Sequence, residues 1–437
     1  MEAEGKLSRK RFLGKAAVGA AGVGLMGPVA AAEAAGSGAS GRALATGGQP
    51  YRIVHCLNLS GVQAQDAADS RDGAALAIAE INAAGGIQGR KITHTAIDTD
   101  IFTPQGCLAS FTKAVNSKPD AITTHYVFAQ AAALRPIVPY GAPYLNGNTS
   151  IAEVDLVKSN PSKYRMVFQC DPTEVPYGPG VIPFLDATEA SKNWSPTKHT
   201  IFIIVGSDAY DQTIAKGLQD AAQKSKKWQV VGVEKVVSPV KDWGPQLAKV
   251  RAAKPAAIAL IDYIDTETAA FMKQFAAQPT NSLVYIQYAP SSPKFIELTG
   301  GAANGVTWAT TSGTYRDALG LAFISKFRKT YGREPVIAFA GMHYDMVYML
   351  ANAWGIVGNS RNFAAVNAQL KKTIHRGVNG SYDMDRPGQY VLSYPTETAD
   401  PSLGQAHLFF QIQNGKQRVV SPKPYSDTAY QHPSWAA

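Results

Sequence analysis

Residues 72–92 constrain the fold of this 437-residue chain more than any other stretch. Apolar residues at 76–81 follow the period of a helix, and Gly85-Gly86 then ends it. A residue just past a helix end often needs a positive φ, which glycine adopts without steric cost. Strand-like runs lie before this helix at 52–57 and after it at 92–97. The order strand, helix, strand predicts the opening βαβ unit of a parallel sheet.

The same alternation continues along the chain. Short apolar runs typical of buried strands occur at 121–124, 200–205, 256–261 and 283–288. Helical patterns alternate with them, at 108–115, from after Tyr210 to about Ser225, at 319–331 and at 335–355, and a hairpin is predicted at 407–420. Asp265 is interpreted as a helix N-cap. This pattern predicts an α/β protein with parallel sheets flanked by helices.

Residues 1–45 have the pattern of an export signal followed by a linker. A basic segment at 6–15 precedes a short Ala/Gly/Val run, and Ala30-Ala31-Ala32 offers a small-residue cleavage site. The segment 8–13 resembles a twin-arginine signal, but Lys10 replaces the second arginine, so the general secretion route stays open. No cysteine follows the apolar run, which argues against a lipid anchor. We therefore expect a soluble periplasmic protein whose mature chain starts near Glu33.

Several function classes find no support in the sequence. Three cysteines cannot form a disulfide framework or a paired metal motif, and the eight histidines lack metal-ligand spacing. Residues 1–15 contribute +3 to the net charge of +9, and the other basic residues are scattered along the chain, which argues against a nucleic-acid partner. No nucleophile elbow, phosphate loop or full dinucleotide fingerprint is present. We expect no enzymatic activity, no cofactor and no metal.

Three segments carry a resemblance to a known family. Ser60-Gly61, the segment 72–74 and the run 80–91 resemble the first part of the leucine/isoleucine/valine-binding proteins. These are periplasmic substrate-binding proteins of ABC importers, and similar segments cover most of the chain after residue 50. The resemblance implies a two-lobe type I fold, in which three hinge crossings join two sheets flanked by helices. It places lobe 1 at 50–170 plus 312–390 and lobe 2 at 171–311 plus 391–437.

The resemblance also implies a function. The chain is expected to close on a small organic ligand and deliver it to the permease subunits of an ABC importer. It is expected to be a monomer that meets the membrane only through the transporter. A ligand-sensing type I receptor domain is the alternative, and an enzyme of the same lobed shape is the third choice.

In lobe 1, five site residues are carried over from the family. Ser60 matches the loop after the first strand, and Asp66 falls where leucine binders place an aromatic residue. A solvated loop carboxylate is the alternative for Asp66. Thr149 matches the threonine that caps the ligand carboxylate in relatives, with an ordinary turn threonine as the alternative, and Asn148 precedes it. Helix-start amides near Ala129 would receive an anion.

Aromatic residues complete the predicted site. Tyr210 resembles the tyrosine of a family cleft motif, and Tyr263 follows a strand as either cleft wall or core. Tyr288 lies near the position where amino-acid binders carry a glutamate that meets the α-ammonium. Together with two residues of lobe 1, these rings would make an aromatic cleft: Tyr126, Phe128, Tyr210, Tyr263 and Tyr288.

The ligand class follows from these substitutions. Loss of the glutamate near Tyr288 argues against a plain amino acid, unless Asp66 or Asp262 supplies the missing charge, because a buried unpaired ammonium is costly. A hydrophobic or aromatic carboxylic acid is therefore favoured, and a branched-chain amino acid is the other candidate.

Overall fold

Two separate β-sheets form the cores of two lobes. They are described by a computed structural model that covers residues 48–61 and 63–436. The predicted export signal and linker, residues 1–45, lie outside these described residues.

The first sheet belongs to lobe 1 and is wholly parallel. Its five strands have the order β2-β1-β3-β4-β5, and they are β1 (Tyr51–Leu57), β2 (Ile92–Asp98), β3 (Ala121–Thr124), β4 (Tyr144–Asn146) and β5 (Val167–Gln169). The connecting helices are α1 (Ala64–Ala83), α2 (Pro104–Asn116), α3 (Gln130–Tyr140) and α4 (Ile151–Ser159). Each strand-to-strand connection therefore passes through a helix, as parallel pairing requires.

Lobe 2 contains a seven-stranded mixed sheet, with the order β16-β15-β10-β9-β8-β6-β7. Its parallel strands are β6 (Thr200–Val205), β7 (Gln229–Lys235), β8 (Ala257–Ile261), β9 (Leu283–Ile286) and β10 (Thr307–Thr310). Around them lie α5 (Tyr177–Ala190), α6 (Ala209–Ser225), α7 (Gly244–Ala253), α8 (Asp265–Ala277) and α9 (Pro293–Thr299). The predicted terminal hairpin is confirmed, because β15 (Leu408–Gln413) and β16 (Lys416–Ser421) pair antiparallel on the edge next to β10.

The chain between these strands returns to lobe 1. It forms α10 (Ala318–Tyr331), α11 (Phe339–Val357), α12 (Phe363–Lys372) and the short pair β11 (His375–Gly377) and β12 (Gly380–Tyr382). Helix α11 packs against α1, where a Cβ added to Gly73 would lie 2.0 Å from the Ala340 carbonyl oxygen. Trp354 of α11 stacks on Tyr51 of β1 in the same core. Lobe 1 is therefore completed by residues far along the sequence.

Three crossings join the lobes, after β5, after β10 and after β12. The third contains a small parallel pair, β13 (Leu392–Tyr394) and β14 (Gly404–Ala406). The Asp171 carboxylate of the first crossing accepts hydrogen bonds from Thr311 Oγ1 at 3.1 Å and Ser312 Oγ at 3.0 Å, both on the second. Gln405 Nε2 donates to the Cys170 carbonyl at 3.3 Å and so links the third crossing to the first.

The helix boundaries test the sequence predictions. The double-glycine stop is confirmed, because Gly85 and Gly86 have φ values of 100° and 76° and the Gly86 N–H donates to the Ile81 carbonyl. The predicted helix at 335–355 begins later, at Phe339, because the Val336 N–H donates to the Asp69 carboxylate across the lobe. Asp265 is the first helical residue of α8 rather than its N-cap.

Candidate ligand-binding cleft

A cavity of about 310 Å³ lies between the lobes. Its lining residues follow the carboxyl ends of strands in both sheets, as Tyr126 follows β3, Asp208 follows β6 and Tyr288 follows β9. Ligands of open α/β folds bind at this end of the strands. The volume is at the lower end of the range for small-molecule pockets. This cavity is the candidate binding cleft.

Seven aromatic rings of the described residues line the cleft. Phe128 of lobe 1 stacks on Tyr263 of lobe 2, with ring centroids 5.9 Å apart and an interplanar angle of 24°. Tyr263 in turn meets the Tyr210 ring edge to face at 5.7 Å. The rings that line the cavity are Tyr126, Phe128, Tyr177, Tyr210, Tyr263, Tyr288 and Phe339. Such a wall suits an apolar or flat ligand body.

Asp66 lies behind this wall and does not line the cavity. Its carboxylate is 3% exposed and accepts hydrogen bonds from the phenols of Tyr126 at 3.4 Å and Tyr288 at 3.2 Å. Burial raises the pKa of Asp66 to about 7, and the nearby Asp69 carboxylate adds to this. The structure therefore places Asp66 as a support for two wall tyrosines from opposite lobes.

Tyr288 has an unusual backbone conformation, with φ 58° and ψ −45°. The Ala289 N–H donates to the Gln287 carbonyl at 2.7 Å, which makes a γ-turn centred on Tyr288. A non-glycine residue in this region costs about 1–3 kcal/mol. The turn directs the Tyr288 ring from the end of β9 toward Asp66 and Phe339 in lobe 1.

A buried polar network holds the lobe 1 side of the cleft. The Glu153 carboxylate accepts hydrogen bonds from the amides of Asn146 and Asn148, both at 2.7 Å. The side-chain oxygen of Asn148, Oδ1, then accepts a hydrogen bond from the Val127 N–H at 2.8 Å. Burial raises the pKa of Glu153 to about 7. This network fixes Asn148 and the loop after β3, which both line the cavity.

The cleft is rich in carboxyl groups. Asp171, Glu174 and Asp208 line it, whereas no lysine or arginine is among its lining residues in the described chain. Burial raises the pKa of Asp171 to about 7, although hydrogen bonds from Ser312, Thr311 and Thr149 partly oppose the shift. Glu174 accepts the Ile151 N–H at the start of α4, at 2.7 Å. The charge of the wall suits a positively charged group on the ligand better than a lone anion.

Seven of the ten candidate residues from the sequence line the cavity: Tyr126, Phe128, Asn148, Thr149, Tyr210, Tyr263 and Tyr288. Ser60, Asp66 and Ala129 do not. Ser60 is exposed and donates instead to the Asp98 carboxylate at 2.7 Å. Next to Ala129, the Phe128 N–H donates to the Ile101 carbonyl at 3.0 Å and is therefore not available to an anion.

Other lining residues were absent from the sequence-based set. Asp171, Glu174 and Asp208 each follow a strand end or a crossing, so the rule for carboxyl ends of strands would have identified them. Ser312 and Phe339 come from the second crossing and the start of α11. No local sequence signal marks these two, because only the return of the chain to lobe 1 brings them to the cleft.

The described residues also limit other kinds of site. Within residues 48–61 and 63–436, no group of three or more His, Cys, Asp or Glu side chains is placed to hold a metal ion. Among the helices of the described chain, none has the length and apolar character needed to cross a membrane.

Comparison with solved structures gives strong matches over most of the chain. A candidate branched-chain amino acid ABC transporter protein from Silicibacter pomeroyi is 34% identical, with a TM-score of 0.81, over 88% of this chain and 100% of that one. The substrate-binding protein LivJ from Streptococcus pneumoniae, solved with isoleucine, is 21% identical, with a TM-score of 0.68, over 85% and 100% of the two chains. A solute-binding protein from R. palustris, solved with benzoate, is 16% identical, with a TM-score of 0.66, over 88% and 99%.

A family model adds to these structural matches. No curated protein matches the chain. The model for periplasmic binding proteins matches residues 50–391, which include the strands of the lobe 1 sheet and the parallel strands of lobe 2. Since this match spans well over half of the sequence and agrees with the two-lobe α/β fold, the chain belongs to the periplasmic binding protein family.

Proposed function

We propose that this protein is the extracytoplasmic solute-binding component of an ABC importer. It captures a small organic ligand between its lobes and delivers it to the permease subunits. The observation that carries the proposal is the cavity lined by strand ends of both sheets. Family members of this kind are substrate-binding proteins of transporters rather than enzymes.

Contacts across the cleft support closure around the ligand. Gln63 Nε2 of lobe 1 donates to the Tyr263 carbonyl of lobe 2 at 2.9 Å. The Tyr288 phenol of lobe 2 donates to the Asp66 carboxylate of lobe 1 at 3.2 Å. A ligand shifts the open–closed equilibrium only if it binds the closed form more tightly. We propose that lobe 1 (50–170 and 312–390) and lobe 2 (171–311 and 391–437) pivot about the three crossings and that the ligand bridges them.

The ligand class we propose is a branched-chain amino acid or a hydrophobic or aromatic carboxylic acid. The aromatic wall suits an apolar body in either case. The carboxyl groups of Asp171, Glu174 and Asp208 would pair with an ammonium group, which a plain acid lacks. On the lobe 1 side, the Thr149 hydroxyl donates to the Asp171 carboxylate at 3.2 Å and the Ser150 hydroxyl to Gln130 Oε1 at 3.1 Å, so a ligand carboxylate would have to replace these acceptors. The charge of the cleft therefore favours the amino acid of the two classes.

Calorimetry on the mature chain tests this function directly. Isoleucine, leucine, valine and benzoate are titrated in turn, and small-angle scattering is recorded at saturation. We expect at least one amino acid to bind and to reduce the radius of gyration. Tyr210→Ala, which removes part of the cleft wall, should weaken binding at least tenfold. Tyr140→Ala, on an outer helix, is the matched control and should bind like the wild type.

Two results would contradict the proposal. One is the absence of binding for a broad panel of small amino acids and organic acids. The other is chemical turnover of a bound ligand, detected by mass spectrometry after incubation, which would indicate an enzyme.

We further propose that the protein is exported to the periplasm as a monomer, with cleavage of the leader near Glu33. The basic segment, apolar run and Ala30-Ala31-Ala32 site support this proposal. Mass spectrometry of the exported protein should give a mature N-terminus close to Glu33. An exported chain that still begins at residue 1 would contradict cleavage, and a dimer by light scattering would contradict the monomer.

A further inference from the structure

A second cavity, of about 770 Å³, is lined by residues that neighbour cleft residues in the sequence. Neighbouring positions of the same segments line the two cavities. Ser312 and Phe339 line the cleft, whereas Thr314 and Ile337 line the second cavity. The second cavity also contains residues of both lobes, such as Ile324 of α10 and Lys416 of β16. An occupant would therefore contact both lobes at once.

Basic residues dominate the charge of this second cavity. Arg316, Arg328, Lys416 and Arg418 line it, together with Glu334. They come from the second crossing, α10 and β16, so the fold rather than a local sequence cluster brings them together. The carboxylates of Glu334 and Asp427 are their ion-pair partners. Four cations against two carboxylates leave a net charge of +2 at this site.

Two of the guanidinium groups lack close partners. Arg328 is satisfied, because Glu334 accepts two of its hydrogen bonds. In contrast, Asp427 lies 3.9 Å from Arg316 Nε and 3.6 Å from Arg418 Nε, both beyond hydrogen-bond length. The Arg316 side chain, 23% exposed, donates only a 3.4 Å hydrogen bond to the Gln417 carbonyl.

The surroundings of Arg316 are unfavourable to its charge. Burial lowers the pKa of Arg316; the carboxylates of Asp427 and Glu334 oppose this shift, and the positive charges of Arg328 and Arg418 add to it. The remaining lining residues are six apolar ones, Pro293, Ile296, Ile324, Pro335, Ile337 and Phe410, together with Ser291, Thr314, Gly415 and Gln417. A ligand that relieves the repulsion must bring negative charge, and one that fills the wall must bring an apolar body.

We propose that this second cavity binds an organic anion that carries two negative charges on a small apolar body, such as an aryl phosphate. Its anionic group lies between Arg316 and Arg418, which have free N–H donors, and Lys416 adds a third positive charge. Its body rests on Ile296 and Ile337, which line the cavity and are partly exposed. Because the occupant touches both lobes and the second crossing, it stabilises the lobe arrangement described here. The proposal does not depend on which ligand the cleft holds, but the two binding equilibria are linked through the lobe arrangement.

Phenyl phosphate is the probe for this site, studied by calorimetry with the mature protein at pH 8. We expect saturable binding that is at least tenfold tighter than that of inorganic phosphate and weakens with added sodium chloride. The double variant Arg316→Gln/Arg418→Gln should lose at least tenfold in affinity. The matched control, Lys113→Gln/Lys224→Gln, removes the same charge from exposed helix positions and should bind like the wild type.

Other outcomes would overturn the proposal. Equal affinity for phenyl phosphate and inorganic phosphate would show that the apolar wall has no role. Binding that survives the double variant but is lost in Tyr210→Ala would place the probe in the cleft. The exposed Lys416→Gln gives a second test if the double variant does not fold, since unchanged affinity there would also contradict the site.

Discussion

The phenol of Tyr288 donates a 3.2 Å hydrogen bond to the Asp66 carboxylate, and 222 positions in the sequence separate the two residues. Tyr288 follows strand β9 of lobe 2, and Asp66 lies in helix α1 of lobe 1. This bond therefore connects the lobes directly across the cleft. It combines a strained backbone turn on one side with a buried acid on the other.

Removing the phenol of Tyr288 should favour the open form. Tyr288→Phe keeps the ring but loses a hydrogen bond with a net contribution of about 0.5–1.5 kcal/mol. We expect the affinity of the cleft ligand to fall roughly two- to tenfold, and the radius of gyration of the unliganded protein to increase. Calorimetry and small-angle scattering measure these effects.

The control for this experiment is Tyr140→Phe. Its hydroxyl donates to the Pro119 carbonyl within lobe 1, away from the cleft. A similar loss of affinity in both variants would contradict a specific role for the bond between the lobes.

Asp66 should make the stability of the protein depend on pH in a defined direction. Burial raises its pKa from 3.8 to about 7 in the folded state. Between these two pH values the folded protein keeps a proton that the unfolded chain releases, so the contribution of Asp66 to stability falls as the pH rises. Asp66→Asn lacks this titration. Its free energy of unfolding, minus that of the wild type, should therefore increase from about pH 4 to pH 7 and then level off.

Urea denaturation at a series of pH values measures this difference. The exposed Asp155→Asn is the matched control and should show a nearly constant difference over the same range. A difference for Asp66→Asn that is flat or falls with pH would show that Asp66 is ionised in the folded protein at low pH.

The Glu153 network should be sensitive to loss of its acceptor. Glu153→Ala leaves the amides of Asn146 and Asn148 without their partner, and each buried unsatisfied group costs about 1–3 kcal/mol. We expect urea denaturation to show a loss of about 2–4 kcal/mol. Glu153→Gln retains one acceptor oxygen and should lose less. A Glu153→Gln variant as stable as the wild type would show that shape rather than hydrogen bonding determines the effect, and equal losses in the two variants would show that the single retained acceptor oxygen contributes nothing.

Gly73 should tolerate no side chain. A Cβ there would lie 2.0 Å from the Ala340 carbonyl oxygen, so Gly73→Ala must push α1 and α11 apart. We expect a loss of about 1–3 kcal/mol in the free energy of unfolding. Gly355→Ala, at an exposed position of α11 with its nearest neighbour at 3.7 Å, should be stabilising by about 0.5–1 kcal/mol. A neutral Gly73→Ala would contradict the close helix packing.

Much of the fold follows from local patterns in the sequence. Strands such as β6 are continuous apolar runs, and the stop at Gly85-Gly86 depends on a backbone conformation that few other residues adopt. Local patterns failed where tertiary bonds decide the structure. The predicted helix included residues 335–338, but Val336 is held by Asp69 from another segment.

In the cleft, too, some residues could be predicted from the sequence and others depend on tertiary contacts. Tyr210 and Thr149 were identified by family resemblance, and both line the cavity a few residues after a strand end. Asp66 lies close to the cleft, as expected, but it bonds to wall tyrosines and does not line the cavity. Nothing in the sequence distinguishes a residue that lines the cavity from one that supports such a residue. Phe339 could not be predicted, because its place depends on where α11 packs against α1.

The pairing of α1 with α11 has a consequence for how the protein is made. Residues 64–83 leave the ribosome long before residues 339–357, and β10 precedes its partner β15 by almost a hundred positions. Neither lobe can therefore be complete until synthesis is nearly finished. During most of translation the apolar face of α1 has no native partner, so the growing chain depends on protection from aggregation until its last quarter emerges.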